Sequence, residues 1–587
     1  MGAIFAYNKN KIHSISPALD LFAEMGFSSP ASFEFGSWVI EAFPKMVVPS
    51  PNYISINGYT LVSTGTPIYK GLDYTDSHNA ILQDYLSNSI DYDQLIGQYT
   101  IMFCHEDIIE ILCDPLGSKH LFTDQTHSML SSHMLPICQC FDGDLHINRK
   151  AFYEKFLTGI IMPPNTLFDE IIQINQQEAE RITHENVGIR FIQTSSINLP
   201  ESRAKGFEES IYEQADTLQH YFELLSIPGK DGIDIGLSGG YDSRLVLACL
   251  HKFHNGKIHL HSHSTENVHQ KDLTIAKQMA EYVGVPLHTV PTKKLKNSDH
   301  IDDVLRKSVL YFDGRSSFSI GGCGEVYTAS YRKESTEGTQ LTLTGVGGEL
   351  YRNVFDIGFR NIRFSQFMEE KVFSQSFRKA ISDELYHELI KDIISRAAVR
   401  LGIDQNSKQP KTIAHRYYCE IMMPDGQGNA IDVYNQVSCC IAPFLKPQII
   451  SKGYEAIPFH HTGGEFEGQL IDHIDSGLAE IPSSYGYPIQ KRPVKAKIKE
   501  GIRTYIPSSI WNYLSSTINR KSHKTDESAN PEELYANNET LKEAYSYMTG
   551  LFPEINFTYL HQSGEEIREV QFIAMTLYYL RERINVQ

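Results

Sequence analysis

The sequence lacks any signal for crossing or entering a membrane. Its 587 residues contain no apolar run of roughly eighteen residues or more. The N-terminus also lacks the basic, apolar and small-residue succession of a secretory signal. We therefore expect a soluble, cytoplasmic protein without a membrane partner.

Cysteine is scarce as well. The nine cysteines stand at positions 104, 113, 138, 140, 249, 323, 419, 439 and 440, and no two of them form a C-x-x-C pair. A disulfide scaffold would need a higher density in a shorter chain. Cys439-Cys440 is predicted to lie in the core, and His460-His461 is predicted to be a surface pair.

Positive charge is not in excess either. The 53 basic and 71 acidic residues leave a net charge of −18, and no long basic run is visible. A protein that binds duplex DNA or tRNA normally shows a basic footprint. Nucleic acid is therefore not an expected partner.

What the sequence does contain is concentrated in Asp231–Leu250, which reads DGIDIGLSGGYDSRLVLACL. Ile233, Ile235 and Leu237 alternate as in a buried strand, and the apolar residues 245–250 predict a helix. A strand that turns through two glycines into a helix points backbone N–H groups at one spot, at the positive end of the helix dipole. The segment therefore predicts an anion site, although the glycines alone are also typical of an ordinary tight turn.

The side chains of this turn favour the anion site. Ser238 and Ser243 add hydrogen-bond donors, and the carboxylate of Asp242 would hold a hard cation beside the anion. The string SGGYDS resembles the pyrophosphate loop of the ATP pyrophosphatases, which split ATP between the α and β phosphates. It lacks the Gly-Lys-Ser/Thr ending of the kinase and GTPase loop. The residues assigned to ATP binding here are Leu237, Ser238, Gly239, Gly240, Asp242 and Ser243.

Strands and helices alternate after this turn, which predicts a parallel sheet covered on both faces. Ligands bind such sheets at the carboxyl ends of the strands. The predicted strands are Lys257–His261, Leu287–Val290 and Gln340–Thr344. The predicted helices are Phe207–Leu225, Lys271–Tyr282 and Glu565–Ile584. Nearer the N-terminus, the predicted strands are Tyr99–Phe103 and Ile108–Leu112.

A second glycine-rich turn follows the predicted strand at residues 340–344. Residues 341–350 read LTLTGVGGEL, so Gly345, Gly347 and the acidic Glu349 come directly after an apolar stretch. The turn alone is also typical of a flexible connection, where an acid favours a helix N-terminus. Mg²⁺ usually takes one or two carboxylates together with phosphate oxygens. Asp242 and Glu349 are therefore predicted to share Mg²⁺ around pyrophosphate, with the two glycines beside ATP.

Together these motifs resemble the asparagine synthetase superfamily over nearly the whole chain. SGGYDS resembles its ATP loop, TGVGGEL its second pyrophosphate segment, and Ala442–Leu445 its Pro-Phe-Leu motif. Residues 97–122 and 166–173 resemble hallmarks of its N-terminal domain. The resemblance implies an α/β protein. It would consist of an N-terminal nucleophile hydrolase-like αββα sandwich (residues 1–195) and an ATP-pyrophosphatase, adenine nucleotide alpha hydrolase-like parallel α/β domain with a helical C-terminal elaboration (residues 196–587).

The N-terminal part departs from the glutamine-dependent members of that superfamily, whose nucleophilic cysteine follows Met1. Gly2 stands at this position, and Asn57-Gly58 is followed by Tyr59 in place of the glutamate of the glutamine-binding motif. Glycine offers no nucleophile. We therefore expect a glutaminase-like domain that does not release ammonia from glutamine.

The second part departs at Val346, where asparagine synthetases have Glu and β-lactam synthetases have Tyr. Valine cannot act as a general base. The magnesium-binding Asp of the superfamily becomes Glu349. A catalytic lysine is implied near Pro482–Lys495, and Lys491 is the best candidate, with Arg492 and Lys495 close behind. A solvated basic loop would have the same composition.

His259, His261 and His263 alternate along one predicted strand and so share a face. A zinc site is one interpretation, but no Cys, Asp or Glu completes the cluster. The resemblance implies instead that this strand lines the adenine pocket, which assigns His261 to ATP. It also implies substrate recognition by Asp313–Glu325, a segment that is equally typical of a Gly-rich connector.

The resemblance implies an ATP-dependent, AMP-forming amide ligase, with ATP and Mg²⁺ as cofactors. Its substrates would be a small-molecule or peptide carboxylate and an amine or ammonia. It would act as a ring-closing synthetase, a macrolactam-forming peptide cyclase or an ammonia-using enzyme. The alternative is a non-catalytic ATP-binding homologue with a binding or assembly role. A tRNA-modifying pyrophosphatase is disfavoured by the acidic charge and the absence of paired cysteines. The sequence leaves a homo-oligomer open.

Overall fold

The computed structural model describes most of the chain. The described residues are all except 1, 49, 186–187, 194–205, 264–269, 291–300, 316–326, 356, 358–360, 411, 461–463, 492, 495–497, 499–534, 537, 564–566 and 586–587. The predicted domain boundary near residue 195 lies outside the described residues, so the division into 1–195 and 196–587 stays a prediction. Arg492 and Lys495 also lie outside them.

The first part of the chain forms two main sheets. In chain order its strands are β1 (Ala3–Asn8), β2 (Ala31–Phe35), β3 (Trp38–Phe43), β4 (Tyr53–Ile56), β5 (Tyr59–Gly65), β6 (Ile68–Tyr69), β7 (Leu95–Ile96), β8 (Tyr99–His105), β9 (Ile108–Cys113), β10 (Phe122–Asp124), β11 (Met129–Ser131), β12 (Ile171–Gln173) and β13 (Ile189–Phe191). The described strands pair in the orders β12-β10-β11-β1-β3-β2 and β13-β9-β8-β5-β4, with β6 and β7 as a separate pair. All pairs are antiparallel except β13 with β9.

Alternation of side chains places these sheets face to face. Along β8, Met102 and Cys104 enter a core shared with Ile4 and Ala6 of β1. The intervening Ile101 enters an outer core with the helix Tyr74–Leu86. On the other side, Ala3 and Phe5 of β1 pack with the helices Ser16–Met25 and Met134–Cys140. A strand whose two faces are both buried reads as a continuous apolar run. The result is the four-layer αββα arrangement that the sequence predicted.

The second part contains a parallel sheet. Its strands, with one small antiparallel pair, are β14 (Ile233–Gly236), β15 (Ile258–Ser262), β16 (Leu287–Thr289), β17 (Leu341–Leu343), β18 (Ile362–Arg363), β19 (Lys408–Gln409) and β20 (Cys439–Ile441). The parallel sheet has the order β16-β15-β14-β17-β20, and β18 pairs with β19. Each predicted strand of this region is present, one or two residues shorter or displaced. The α/β fold class is therefore confirmed.

Helices cover this sheet and extend the C-terminal part. The described α-helices not yet given are Arg149–Thr158, Gln176–Glu185, Phe207–Glu223, Asp242–Phe253, Gln270–Val283, Ile301–Tyr311, Ala329–Ser335, Phe364–Phe367, Gln375–Ala380, Asp383–Arg400, Thr412–Tyr417, Gly428–Val437, Pro447–Glu455, Glu465–Ile474, Ser476–Glu480, Glu539–Leu551, Phe557–Ser563 and Ile567–Tyr579. The described π-helical turns are Met368–Val372 and Tyr418–Gln427, and the described 3₁₀ turns are Tyr92–Gln94, Gly348–Tyr351, Pro443–Leu445, Ile457–Phe459 and Ile489–Lys491. None of these helices combines the length and apolar character needed to cross a bilayer.

Buried polar contacts join the two parts. Lys119 Nζ of the sandwich donates to Asp432 Oδ1 at 2.7 Å, and both side chains are almost completely buried. Thr66 Oγ1 donates to Asn435 Oδ1 at 2.6 Å, and Lys45 Nζ donates to the same oxygen at 2.8 Å. Asp432 and Asn435 both lie on the helix Gly428–Val437. This helix is therefore one of the elements of the second part that the sandwich contacts.

The surface prediction for His460 is wrong, because the residue is completely buried and its Nδ1 lies 3.0 Å from Nε2 of His415. His461 lies outside the described residues. Cys439 and Cys440 are buried in β20, as predicted. The predicted C-terminal helix is present but shorter, at Ile567–Tyr579.

Candidate functional site

The first glycine-rich turn joins β14 to the helix Asp242–Phe253, as the sequence predicted. The hydroxyl of Ser243 accepts a hydrogen bond from the backbone N–H of Ser238 at 3.2 Å, and the two hydroxyls lie 3.1 Å apart. The backbone N–H of Gly240 donates to Ser238 Oγ at 3.3 Å. Leu237 connects the start of the turn to the neighbouring strand, because its backbone N–H donates to the carbonyl of His261 on β15 at 2.7 Å. The turn is therefore held at the positive end of the helix dipole.

The second turn follows β17 and lies against the first. A Cβ atom on Gly345 would lie 2.9 Å from the backbone carbon of Asp242, and one on Gly348 would lie 2.3 Å from Asp242 Oδ1. Gly347 has φ +92, and a Cβ there would lie 2.6 Å from Met423 Cε and 3.1 Å from Phe444 Cβ. Only glycine combines this backbone conformation with so close an approach.

The sheet order explains why the two turns meet. β14 and β17 are neighbouring parallel strands, with Ile235 opposite Leu343. Carboxyl ends of neighbouring parallel strands lie at one edge of the sheet, where such folds bind ligands. The predicted convergence of the two motifs is confirmed.

An arginine that the sequence reasoning missed lies between the two predicted metal ligands. Arg352 Nη2 donates to Asp242 Oδ1 and lies 3.9 Å from Glu349 Oε1. One guanidinium nitrogen is thus within ion-pair distance of both carboxylates. Arg352 lies three residues after Glu349, but no spacing rule marks it. The only available signal was its position at the end of the Gly348–Tyr351 turn.

A third acid, Glu467, completes this group and was also missed. Its side chain is completely buried, and its Oε2 lies 3.3 Å from Arg352 Nε. Burial first, and then the negative charge of Asp242, raise the pKa of Glu467 well above its usual range. The raised pKa favours the neutral form of this carboxyl, and Arg352 also donates to Asp242. Glu467 lies on the helix Glu465–Ile474, far along the chain from either motif.

Glu349 is positioned by a buried tyrosine. Tyr418 Oη donates to Glu349 Oε2 at 2.6 Å and lies 3.3 Å from Gln427 Oε1. Burial, and then the adjacent Glu349, raise the pKa of Tyr418 well above its usual value, so the phenol keeps its proton as a donor. Carboxylates of Asp242 and Glu349 are hard oxygen donors of the kind that Mg²⁺ takes together with phosphate oxygens. The residues present therefore fit a magnesium ion bound with a nucleotide.

The histidines of β15 do not form a metal cluster. His261 is buried, and its Nδ1 lies 2.8 Å from Asp234 Oδ1. The ring of His263 lies 5.6 Å from that of Tyr331, centroid to centroid. Among the described residues no group of three or more His, Cys, Asp and Glu could hold a metal ion. The assignment of His261 to ATP stays a prediction.

Lys491 is exposed at the end of the 3₁₀ turn Ile489–Lys491, whose first residue, Ile489, is buried. The chain just before it contacts the first turn directly, because the backbone N–H of Ser484 donates to the Gly239 carbonyl at 2.8 Å. Lys271 Nζ donates to the carbonyl of Ser484 at 2.5 Å. Ser484, near the start of the predicted stretch, thus lies beside the first glycine-rich turn, and a catalytic role for Lys491 stays a prediction.

The space around Gly2 is closed. A Cβ atom at this position would lie 2.5 Å from Phe27 Cε1 and 2.6 Å from the carbonyl oxygen of Pro44. Real Cβ atoms do not approach backbone oxygens so closely. A larger side chain therefore has no room here unless its neighbours move, and the expected loss of glutaminase chemistry stays a prediction.

The Asp313–Glu325 segment is described only as far as Arg315. Asp313 has φ 53 and is buried, and its carboxylate accepts the backbone N–H groups of Met134 and Leu135 at 2.5 and 2.9 Å. It thus caps the helix Met134–Cys140. Arg315 Nη2 donates to Asp432 Oδ2 at 3.2 Å. Asp313 has a structural role at the junction of the two parts.

Comparison with known proteins adds one family match. Residues 234–349, which span both glycine-rich turns, match the family model described as asparagine synthase. No curated protein sequence matches the chain.

Solved structures give only weak likenesses. NMN synthetase from Francisella tularensis is 12% identical with a TM-score of 0.17, over 37% of this chain and 93% of that one. The U34-tRNA thiolase NcsA from Methanococcus maripaludis with its [4Fe-4S] cluster is 13% identical with a TM-score of 0.18, over 51% and 81%. The fold assignment rests on the sheet described above.

Proposed function

We propose that this chain, whose residues 234–349 match the asparagine synthase family model, is an ATP-dependent, AMP-forming amide ligase. The observation that carries the proposal is the contact between the two glycine-rich turns. It places the carboxylates of Asp242 and Glu349 beside one guanidinium at the carboxyl edge of the parallel sheet. Such an edge is where α/β folds bind nucleotides.

The proposed reaction has two steps. A carboxylate oxygen of the substrate attacks the α-phosphorus of ATP, the bond to the bridging oxygen of the β-phosphate breaks, and pyrophosphate leaves. An amine nitrogen then attacks the acyl carbon of the adenylate, and AMP leaves with the electrons of the acyl–oxygen bond. The amine proton must go to another group, because Val346 offers no base. An ammonium substrate therefore first gives up a proton to a substrate carboxylate, or the amine arrives neutral. In either case the attacking nitrogen loses one further proton as the amide forms, and the phosphate of the departing AMP or water accepts it.

The residues of the two turns have distinct roles in this proposal. The backbone and hydroxyls from Ser238 to Ser243 bind the departing pyrophosphate at the helix N-terminus. Asp242 and Glu349 would hold Mg²⁺, which supplies charge neutralisation for the leaving group when it is bound. Arg352 keeps both carboxylates in place and adds positive charge at the same point. Gly345 and Gly347 allow the close approach of the turns.

Ammonia from glutamine is not part of the proposal. The first domain offers no nucleophile at Gly2, and Phe27 and Pro44 fill the space that one would need. The amine is therefore taken from solution or from the substrate itself. The carboxylate substrate is a small molecule or a peptide.

Nucleotide binding tests the site without knowledge of the acid. Binding of α,β-methylene-ATP, which cannot be split between the α and β phosphates, is measured calorimetrically with and without Mg²⁺. Mg²⁺ is expected to increase the nucleotide affinity of wild type. In Asp242→Asn and Glu349→Gln this increase is expected to be at least about tenfold smaller. Glu369→Gln, at an exposed glutamate, is the control and keeps wild-type binding. Equal Mg²⁺ gains in all four proteins would contradict the proposed site.

Turnover then separates the ligase from a non-catalytic ATP-binding homologue, which the valine at 346 would also suit. Pyrophosphate and AMP are measured with panels of carboxylic acids and amines, for wild type and Asp242→Asn. A ligase forms equal amounts of both products, and the variant forms neither. Nucleotide binding without turnover on any acid would favour the homologue.

A further inference from the structure

A buried arginine directly follows the first glycine-rich turn. Arg244 lies in the first turn of the helix Asp242–Phe253, and its side chain is completely buried. Its Nη1 donates to the carbonyls of Leu478 and Ile481 at 3.1 and 2.6 Å, and its Nη2 donates to the carbonyl of Pro482 at 3.0 Å. All three acceptors are backbone oxygens, so the guanidinium fixes the path of the chain at residues 478–482.

The chain held in this way continues into a tight turn beside the glycine-rich turn. The N–H of the last residue of Ser483–Gly486 donates to the carbonyl of the first at 2.8 Å, which closes a β-turn. At the second position of this β-turn, the N–H of Ser484 is not used by the turn itself. It donates to the carbonyl of Gly239 at 2.8 Å.

The hydrogen bond from Ser484 orients one peptide group of the glycine-rich turn. The carbonyl of Gly239 and the N–H of Gly240 belong to the same planar trans unit, so they point in opposite directions. When Ser484 holds the carbonyl, the N–H is directed towards Ser238, and it donates to Ser238 Oγ at 3.3 Å. Because a glycine stands on each side, the backbone itself restricts the rotation of this peptide very little. A contact from outside the turn therefore has to fix it.

We propose that Arg244 is a positioning residue for the anion site. It holds the turn Ser483–Gly486 in place, and Ser484 then keeps the Gly240 N–H directed at the anion. This role rests on the proposed function, in which the glycine-rich turn binds pyrophosphate. The side chain of Arg244 is bonded to the backbone of residues 478–482, so it acts through Ser484 and not on the nucleotide itself.

Binding of inorganic pyrophosphate with Mg²⁺, measured by calorimetry, tests the last step of this chain of contacts. Ser484→Pro removes the backbone donor, and proline suits the second position of a β-turn. It is expected to bind pyrophosphate about tenfold more weakly, because a hydrogen-bond donor to a charged group is misdirected. Gln405→Pro, at the second position of the β-turn Asp404–Ser407, is the matched control and is expected to bind like wild type.

A second pair of variants tests the arginine. Arg244→Met removes all three hydrogen bonds and is also expected to weaken pyrophosphate binding about tenfold. Arg244→Lys keeps the charge but not the planar fork, and it serves the same comparison if the methionine variant does not fold. Arg583→Met is the control, because Arg583 Nη2 likewise donates to backbone carbonyls, those of Cys138 and Phe141 at the end of the helix Met134–Cys140.

The double variant Arg244→Met/Ser484→Pro distinguishes positioning from general damage to the structure. Both changes release the same peptide group, so the affinity of the double variant is expected to stay within about threefold of the weaker single variant. Two independent defects would instead multiply to a loss of about a hundredfold.

Hydrogen exchange without any ligand tests the first step. The amide of Ser484 is hydrogen-bonded in wild type, and its peptide is expected to exchange at least about tenfold faster in Arg244→Met. The same peptide in Arg583→Met is expected to exchange as in wild type. Unchanged exchange in the helix Asp383–Arg400 would show that both variants are folded.

Four results would overturn the proposal. These are wild-type pyrophosphate affinity in Ser484→Pro, losses that multiply in the double variant, unchanged exchange at Ser484 in Arg244→Met, and no pyrophosphate binding by wild type. Pyrophosphate binding without any binding of α,β-methylene-ATP would count against the proposed function alone and would leave the positioning role of Arg244 in place.

Discussion

Removing the guanidinium of Arg352 is the most direct perturbation of the nucleotide site. Arg352→Met keeps most of the side-chain stem and deletes the charge. Asp242 then loses its donor, and Glu467 loses the cation that lies 3.3 Å away. We expect the protein without nucleotide to be less stable.

The magnitude follows from the exposure of each partner. Breaking a buried ion pair costs about 3–5 kcal/mol, and a hydrogen bond to a charged group contributes about 1.5–3 kcal/mol. The Arg352 and Asp242 side chains are 19% and 26% exposed, so solvent screens part of their attraction. The neutral form of Glu467, which its raised pKa favours, would add little to this loss. The expected loss is therefore about 2–3 kcal/mol.

A double-mutant cycle with Glu467→Gln separates the two acids. Hydrogen exchange of peptides from Asp242–Phe253 reports the local unfolding free energy, which is better defined than a global value in a chain of several domains. At neutral pH the coupling between Arg352 and Glu467 should stay below about 1 kcal/mol, because the glutamine resembles a neutral carboxyl. A coupling above about 3 kcal/mol would show that Glu467 is ionised and would refute the reasoning.

The same carboxyl predicts a dependence on pH. A group whose pKa is raised by folding binds its proton more tightly in the folded state. Its contribution to stability is complete below the unfolded pKa and is lost as the pH rises through the folded pKa. Wild type should therefore lose local stability relative to Glu467→Gln as the pH rises from the unfolded pKa of the carboxyl through its raised folded pKa. Parallel pH curves for the two proteins would be inconsistent with a raised pKa at Glu467.

Two further predictions concern Tyr418 and Gly2. Tyr418→Phe removes the 2.6 Å hydrogen bond to Glu349 and should weaken Mg²⁺-dependent binding of α,β-methylene-ATP about tenfold. Tyr212→Phe, at an exposed tyrosine, is the control and should not weaken it. Equal loss of binding in both variants would contradict the role of Tyr418. Gly2→Cys should release no glutamate from glutamine and should lower the free energy of unfolding by about 1–3 kcal/mol through overpacking. Gly206→Cys, where a Cβ atom would meet open space, should leave the free energy of unfolding nearly unchanged. Glutaminase activity in Gly2→Cys would show that the space around residue 2 opens.

Local patterns in the sequence were sufficient to predict the strands and turns at the sheet edge where the candidate site lies. The alternation at Ile233 and Ile235, and the glycines that follow, predicted a strand, a turn and a helix, because these depend on neighbouring residues alone. The meeting of the two turns was also predictable, since parallel strands present their carboxyl ends at one edge.

The surroundings of that edge were not predictable in the same way. Arg352, Glu467 and Tyr418 reach the site from three separate segments, and nothing in their spacing indicates a common destination. His460 looked like a surface residue because an adjacent pair of histidines is polar, yet it is completely buried beside His415. Contacts between distant segments determine each of these positions. Such contacts produce no repeating pattern along a single sequence, so they could not be predicted from it.

The contacts of the helix Gly428–Val437 give the sandwich a structural role that requires no reaction in the sandwich itself. If the first part of the chain were deleted, Asp432 would lose its lysine and Asn435 would lose both of its donors from that part. The segment Tyr418–Val437 would then lose these contacts with the sandwich. The Glu349 carboxylate, which Tyr418 positions, would be held less firmly. The first part of the chain can thus support the segment that holds Glu349 through buried contacts alone.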